Sequence, residues 1–175
     1  MTAMQTRYIA DADHCEHVLE RARGVKRALW IATADIKDLH VAKGKRAEPF
    51  LNVLAELLLR GVDVRLIHAK EPGPAFRRDF DNNPVLARRL ERALCPRAHF
   101  KLFIFDFESA YIGSANLTGA GLGMKSVKKR NFEAGILTTD PALVNAAIRQ
   151  FDDVWRGAHC DACGRKAFCG DRISG

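Results

Sequence analysis

No apolar run in this 175-residue chain approaches the roughly 20 residues needed to cross a bilayer, and the longest candidates are broken by Arg60, Lys101 and Asp106. A membrane-embedded protein is therefore not expected. A basic start followed by an apolar core is missing too. Met1 to Val18 carries Asp11, Asp13, His14, Glu16 and His17, so no export signal is read and a cytoplasmic location is expected. Cysteines are few and odd in number (Cys15, Cys95, Cys160, Cys163 and Cys169), which argues against a disulfide framework. There is no internal repeat and no low-complexity tract. Acidic residues are the minority charge, 21 against 28 Lys plus Arg, and the resulting +7 favours anionic partners, nucleic acid or an acidic membrane surface. With 47% hydrophobic residues the chain is too apolar for disorder, and its length suits one domain with a core.

The pattern of elements follows from periodicity. Residues 13–21 predict a helix ended by Gly24, and residues 26–35 a strand with Leu29, Trp30 and Ile31 buried. Residues 48–60 predict a helix with Pro49 near its start, and residues 62–68 a second strand. A charged, proline-interrupted connection follows, with a helix from Pro84 through Leu94. Strands are then predicted over 99–106, 109–114 and 131–138, and a last helix from Pro141 to Trp155. This order signals an α/β sandwich with a mixed, largely parallel central sheet flanked by helices. Residues 1–157 form the expected catalytic domain and residues 158–175 a Cys-rich tail packed on it.

The chemistry-bearing residues lie between Cys95 and Thr138. His99, Lys101 and Asp106 stand as H-x-K-(x)4-D, six residues separate them from Gly113-Ser114-Ala115-Asn116 as G-S-x-N, and Asn131-Phe132-Glu133 follows as N-x-E. This series resembles the phospholipase D superfamily signature over residues 99–133, and the α/β order from about 13 to 156 agrees with that family's fold. The resemblance implies catalytic roles for His99, Lys101, Ser114, Asn116 and Glu133, with Asp106 as the last member of the first motif.

Strand alternation puts His99, Lys101, Phe103 and Phe105 on one face and Phe100, Leu102, Ile104 and Asp106 on the other. An imidazole beside an ammonium suits a phosphodiester: the lysine holds a non-bridging oxygen while the neutral ring attacks phosphorus. Ser114 and Asn116 add hydrogen bonds to the same phosphate. Asp106, on the opposite face, is assigned a structural or interface ion-pairing role, and Glu133 is expected to orient His99 through Nδ1. Gly119, Gly121 and Gly123 lack the Lys-Ser/Thr continuation of a phosphate-binding loop and are read as a connection. His68, at the end of a buried strand, reads as a packed residue.

In the family that this chain resembles, two motif histidines divide attack and leaving-group protonation. One motif is present here. A twofold homodimer presenting His99 from each subunit to one phosphate is the expected solution, with no metal in the chemical step. The net charge and the cluster Lys125, Lys128, Lys129 and Arg130 between Asn116 and Glu133 favour nucleic acid and a sequence-nonspecific nuclease. Two other readings stay open: a phospholipase D or cardiolipin hydrolase meeting anionic phospholipid at a membrane surface, and a catalytically idle nucleic-acid-binding module.

The tail reads A-H-C-D-A-C-G-R-K-A-F-C-G from Ala158. Cys160 and Cys163 as C-x2-C, with Cys169 six residues on, have the ligand spacing of a structural zinc site, and Gly164 permits its turn. Cys95 is the first candidate for the fourth ligand, with His159, Asp171, Cys15, His14 and His17 as alternatives. The same thiolates would also suit an iron–sulfur cluster.

Overall fold

The computed structural model describes residues 4–37, 39–43 and 46–170. In chain order the elements are β1 (Thr6–Ala10), a π-helical turn (Cys15–Glu20) continuing into α1 (Arg21–Arg23), β2 (Ala28–Thr33), β3 (His40–Lys43), β4 (Arg46–Pro49), α2 (Phe50–Leu59), β5 (Asp63–His68), α3 (Pro74–Asp81), α4 (Pro84–Arg89), β6 (Glu91–Leu94), β7 (Lys101–Phe105), β8 (Ser109–Gly113), β9 (Ala134–Thr138) and α5 (Pro141–Trp155). Seven strands form one sheet in the order β1-β9-β8-β7-β2-β5-β6, and β3 and β4 form a separate hairpin. β2, β5 and β6 pair in parallel, while β7, β8, β9 and β1 are added antiparallel. Five of the seven strands consequently run in one direction, β7 and β9 against them.

Every residue of β2 is buried, as a central strand with both faces covered requires. On one face Leu29, Ile31, Phe103 and Phe105 pack with Leu54 and Leu57 of α2; on the other Trp30, Leu102 and Ile104 pack with Val144, Ala147 and Phe151 of α5. The alternation expected along β7 is therefore realised between Leu102 and Phe105. α5 starts where Asp140 accepts from Ala142 N at 2.8 Å with Pro141 in the first turn. Its Phe151 stacks on Trp30 with centroids 5.0 Å apart, and burying a ring of that size contributes about 1.5–3 kcal/mol. No helix among the described residues is long and apolar enough to cross a membrane.

Four segments depart from the expected pattern. The helix from Pro84 ends at Arg89, Leu90 turns extended at ψ 113°, and Glu91–Leu94 becomes β6. Its Ala, Arg and Leu content favours helix locally, but the open edge of β5 supplies a ladder from Arg65 to His68, and Arg65 pairs with Glu91 at 3.1 Å. β1 is a largely exposed edge strand with only Ile9 buried, so it has no alternation to read. The last strand starts at Ala134 instead of Asn131, and the first catalytic strand at Lys101 instead of His99.

Beyond α5 the chain makes short turns and one 3-10 turn (Lys166–Phe168). Asp171 lies outside the described residues.

Candidate active site

Sheet register assembles the site. Lys101 at the start of β7 faces Gly113 at the end of β8, and Gly113 faces Gly135 near the start of β9. The loop carrying His99, the Ser114–Asn116 turn and Glu133 thus reach the same edge, where β2, β5 and β6 also end. His99 is exposed in the loop before β7, whereas Lys101 is 8% exposed. Lys101 Nζ lies 3.2 Å from His99 Nδ1 and 2.7 Å from the His99 carbonyl. Burial pulls the Lys101 ammonium below the usual lysine range, and the Glu133 carboxylate pushes it back up.

Glu133 does not orient the His99 ring. Ser114 Oγ donates to Glu133 Oε2, Asn131 Nδ2 donates to Oε1 at 3.0 Å, and His99 Nδ1 is instead against Lys101. An ammonium can only donate, so this contact leaves the ring proton on Nε2. Asn116 Oδ1 accepts from Asp35 N at 3.1 Å and Thr33 Oγ1 at 3.4 Å, so its amide N–H₂ is turned away from these anchors with no protein acceptor among the described residues. Ser114, Asn116, Glu133, Lys101 and His99 are brought together, as the motifs require.

Asp106 is not. It sits at the other end of β7, roughly 17 Å along the strand from Lys101. Its φ is 54°, and its carboxylate accepts from the backbone N–H groups of Lys26, Arg27 and Ala28 at 3.0, 2.6 and 3.0 Å. Grouped with the catalytic residues by its motif, Asp106 is a structural clasp between β7 and the start of β2. Burial alone would raise its carboxyl, but these N–H groups and Arg27 hold it below the ordinary value. Its contribution to stability is therefore present above the ordinary aspartate value of about 3.9 and is lost as pH falls through the lower folded value. Asp106→Ala leaves the N–H groups without their acceptor, with an expected loss of about 2–3 kcal/mol in urea unfolding.

Four supporting residues have no motif to announce them. The buried Tyr111 ring lies across Gly113 and Gly135, where an added Cβ would come within 2.2 Å and 2.5 Å of it; this is why the G of G-S-x-N is glycine. Burial pushes the Tyr111 hydroxyl up to about 12, although Ala115 N–H bonds to it. The same hydroxyl donates to Nε2 of buried His14 at 2.8 Å, and His14 Nδ1 donates to the Asp11 carbonyl at 2.9 Å. Asp11 Oδ1 in turn accepts from Glu133 N at 3.1 Å. Thr33 Oγ1 accepts from Leu117 N at 2.9 Å and fixes the turn after Asn116. The sequence signal for Tyr111 was its two-residue offset from Gly113; His14 and Asp11 carried none.

Lys125, Lys128 and Lys129 are exposed and Arg130 half-buried on the loop between Asn116 and Glu133. Phe132 beside them is 95% exposed and Val127 75%. His68 is buried, with Nδ1 donating to the Lys70 carbonyl at 2.7 Å. Among the described residues no three His, Cys, Asp or Glu side chains stand close enough to share a metal ion. His14 and Cys15 are excluded as ligands of the tail, His14 by its bond to Tyr111 and Cys15 by its 3.0 Å contact with Met124 Sδ.

A mixed α/β sandwich with a histidine–lysine pair, a serine, an asparagine and a glutamate on one sheet edge defines a class of phosphodiester-directed proteins. A family model described as cardiolipin synthase, PLD-like domain, matches residues 18–155. The chain belongs to this family, within the phospholipase D superfamily of phosphodiesterases. Among solved structures it is similar to NucT from Helicobacter pylori, at 13% identity and TM-score 0.65 over 87% of this chain and 96% of that one. Nuc from Salmonella typhimurium, a phospholipase D family member, is similar at 18% identity and TM-score 0.65, covering 87% and 95%. A phosphatidylserine synthase from Haemophilus influenzae Rd KW20 aligns at 14% identity and TM-score 0.64, covering 85% of this chain and 36% of that one. At these identities the likenesses establish the fold. A search of curated proteins by sequence matched none.

Proposed function

We propose that the protein is a phosphodiesterase acting through a phosphohistidine, a sequence-nonspecific nuclease that works as a homodimer. The observation that carries this reading is an exposed imidazole backed by a buried ammonium 3.2 Å away, on an edge where Asn116 offers a free amide. His99 Nε2 attacks phosphorus, an N–P bond forms and the bond to the leaving oxygen breaks; that oxygen takes its proton from His99 of the second subunit. Water, giving a proton to that second histidine, then displaces His99 and breaks the N–P bond. Attack through Nε2 needs the ring proton on Nδ1, so Lys101 must release the ring and turn to the phosphate. Lys101 and Asn116 then neutralise the developing charge, and no metal enters the step. A cytoplasmic location belongs to the same reading.

Nucleic acid is favoured over lipid by the three exposed lysines beside an almost fully exposed Phe132, a cationic track with a stacking surface next to Glu133. A similar fold occurs in TrmBL2, an archaeal chromatin protein described as showing a novel mode of DNA binding, at 13% identity and TM-score 0.61 over 89% of this chain. The membrane-surface reading has one observation of its own: Val127, 75% exposed in the basic loop, is an apolar side chain with no use in stacking, which suits anionic phospholipid.

The test is cleavage in EDTA of single-stranded DNA, duplex DNA, RNA and cardiolipin vesicles over a salt series. Cleavage of nucleic acid is expected, and replacing Lys125, Lys128 and Lys129 by alanine should flatten the salt dependence of binding by about one unit of slope per lysine. Turnover of lipid alone would replace the nuclease reading by the membrane one. Tight binding of nucleic acid without turnover would make the chain an idle binding module.

A further inference from the structure

The Cys-rich tail is not used by the proposed chemistry, and its side chains are arranged against ordinary hydrophobic logic. Across residues 158–170 every residue is exposed except Cys160, Cys163 and Cys169. Phe168, the one large apolar side chain there, is 75% exposed. A tail held by apolar burial would turn its phenylalanine inward and leave only small side chains to solvent. This one does the reverse.

Cys160, Cys163 and Cys169 line a cavity of about 600 Å³ that Cys95 lines as well. Chain topology explains the meeting. β6 runs parallel to β5 and delivers Cys95 to the end of the sheet, where its N–H bonds to the His68 carbonyl at 2.9 Å. α5 ends at Trp155, and the chain reverses through Gly157 at φ 72° toward the same end. Cys169 Sγ then donates to the carbonyl of Leu94, the residue before Cys95, at 3.6 Å. Within the tail, Arg165 N–H donates to Cys163 Sγ at 3.4 Å, the N–H to sulfur bond that a thiolate in a tight turn accepts.

We propose that Cys95, Cys160, Cys163 and Cys169 bind one structural zinc ion that pins the tail to the loop leading into His99. Four thiolates with no open position make the closed tetrahedral set of a structural site. Among the described residues no three of these thiols stand at metal-binding distance, so the proposed site requires the tail to close on the ion. The tail's backbone hydrogen bonds are local turns, which leaves it free to close, and the metal supplies the attachment that apolar burial does not. Cys15, held against Met124 elsewhere, is not a ligand.

The test is elemental analysis of the purified full chain together with mercurial titration of its thiols. One zinc per chain is expected, released as four thiols react, and Cys15→Ser should retain full zinc while Cys163→Ser loses at least most of it. Should Cys163→Ser fail to fold, the release stoichiometry on the wild-type chain still decides. Zinc below about a tenth of an equivalent, a disulfide among the four cysteines, or iron with acid-labile sulfide in place of zinc would each overturn the proposal.

Discussion

His99→Ala is expected to lower phosphodiester cleavage by at least about 10³-fold, with the unfolding midpoint and subunit association unchanged. The side chain is exposed, so its removal opens no cavity, and the buried Lys101 ammonium that loses its Nδ1 contact keeps the residue 99 carbonyl at 2.7 Å. In the proposed mechanism what it removes is the atom that bonds to phosphorus. The composite site makes a sharper prediction. If each site needs His99 from both subunits, random reassortment of equal amounts of wild-type and His99→Ala chains leaves activity in about a quarter of the dimers. Independent sites would retain about half of the wild-type activity, and that value would reject the shared site.

The second large effect concerns Lys101. Lys101→Met is expected to reduce kcat by about 10²–10³-fold, the loss typical of one aligned electrostatic donor. Its effect on stability should have the opposite sign. Burial penalises the ammonium and lowers its pKa, so the folded chain carries a cost at neutral pH that is relieved as pH rises through that lowered value. Methionine removes the charge and keeps the packing, so the unfolding midpoint should stay level or rise while activity collapses. In the wild type the rate should fall on the alkaline side as Lys101 loses its proton, with the limb below the ordinary lysine value of about 10.4. A merely structural lysine would leave the pH profile unmoved.

The site was legible wherever motif spacing and strand alternation coincide. Leu102 through Phe105 alternate between two cores as expected, and three short separate motifs meet on one edge because Lys101, Gly113 and Gly135 share a register. Residues 91–94 show where local reading fails: a helix-favouring tetrapeptide becomes a strand because β5 offers a ladder that only the tertiary structure reveals. β1 was invisible for a related reason, its pairing being with β9 more than a hundred residues away. The support beneath the site was equally hidden. Tyr111, His14 and Asp11 are linked through a hydrogen-bond chain, buried at its Tyr111–His14 link, whose members have no common spacing. The expected Glu133–His99 pairing is not formed: Ser114 and Asn131 donate to the Glu133 carboxylate, and His99 Nδ1 lies against Lys101. Asp106 was separable from the chemistry by alternation alone, and its place at the far end of β7 explains the spacing of its motif: it is the length of the strand.

The central claim is a covalent bond between His99 and the phosphoryl group. Rapid quenching of the enzyme during turnover of a labelled phosphodiester should trap an acid-labile, alkali-stable adduct that maps to His99 and is absent from His99→Ala. Turnover at the wild-type rate with no adduct, or an adduct on another residue, would contradict the account.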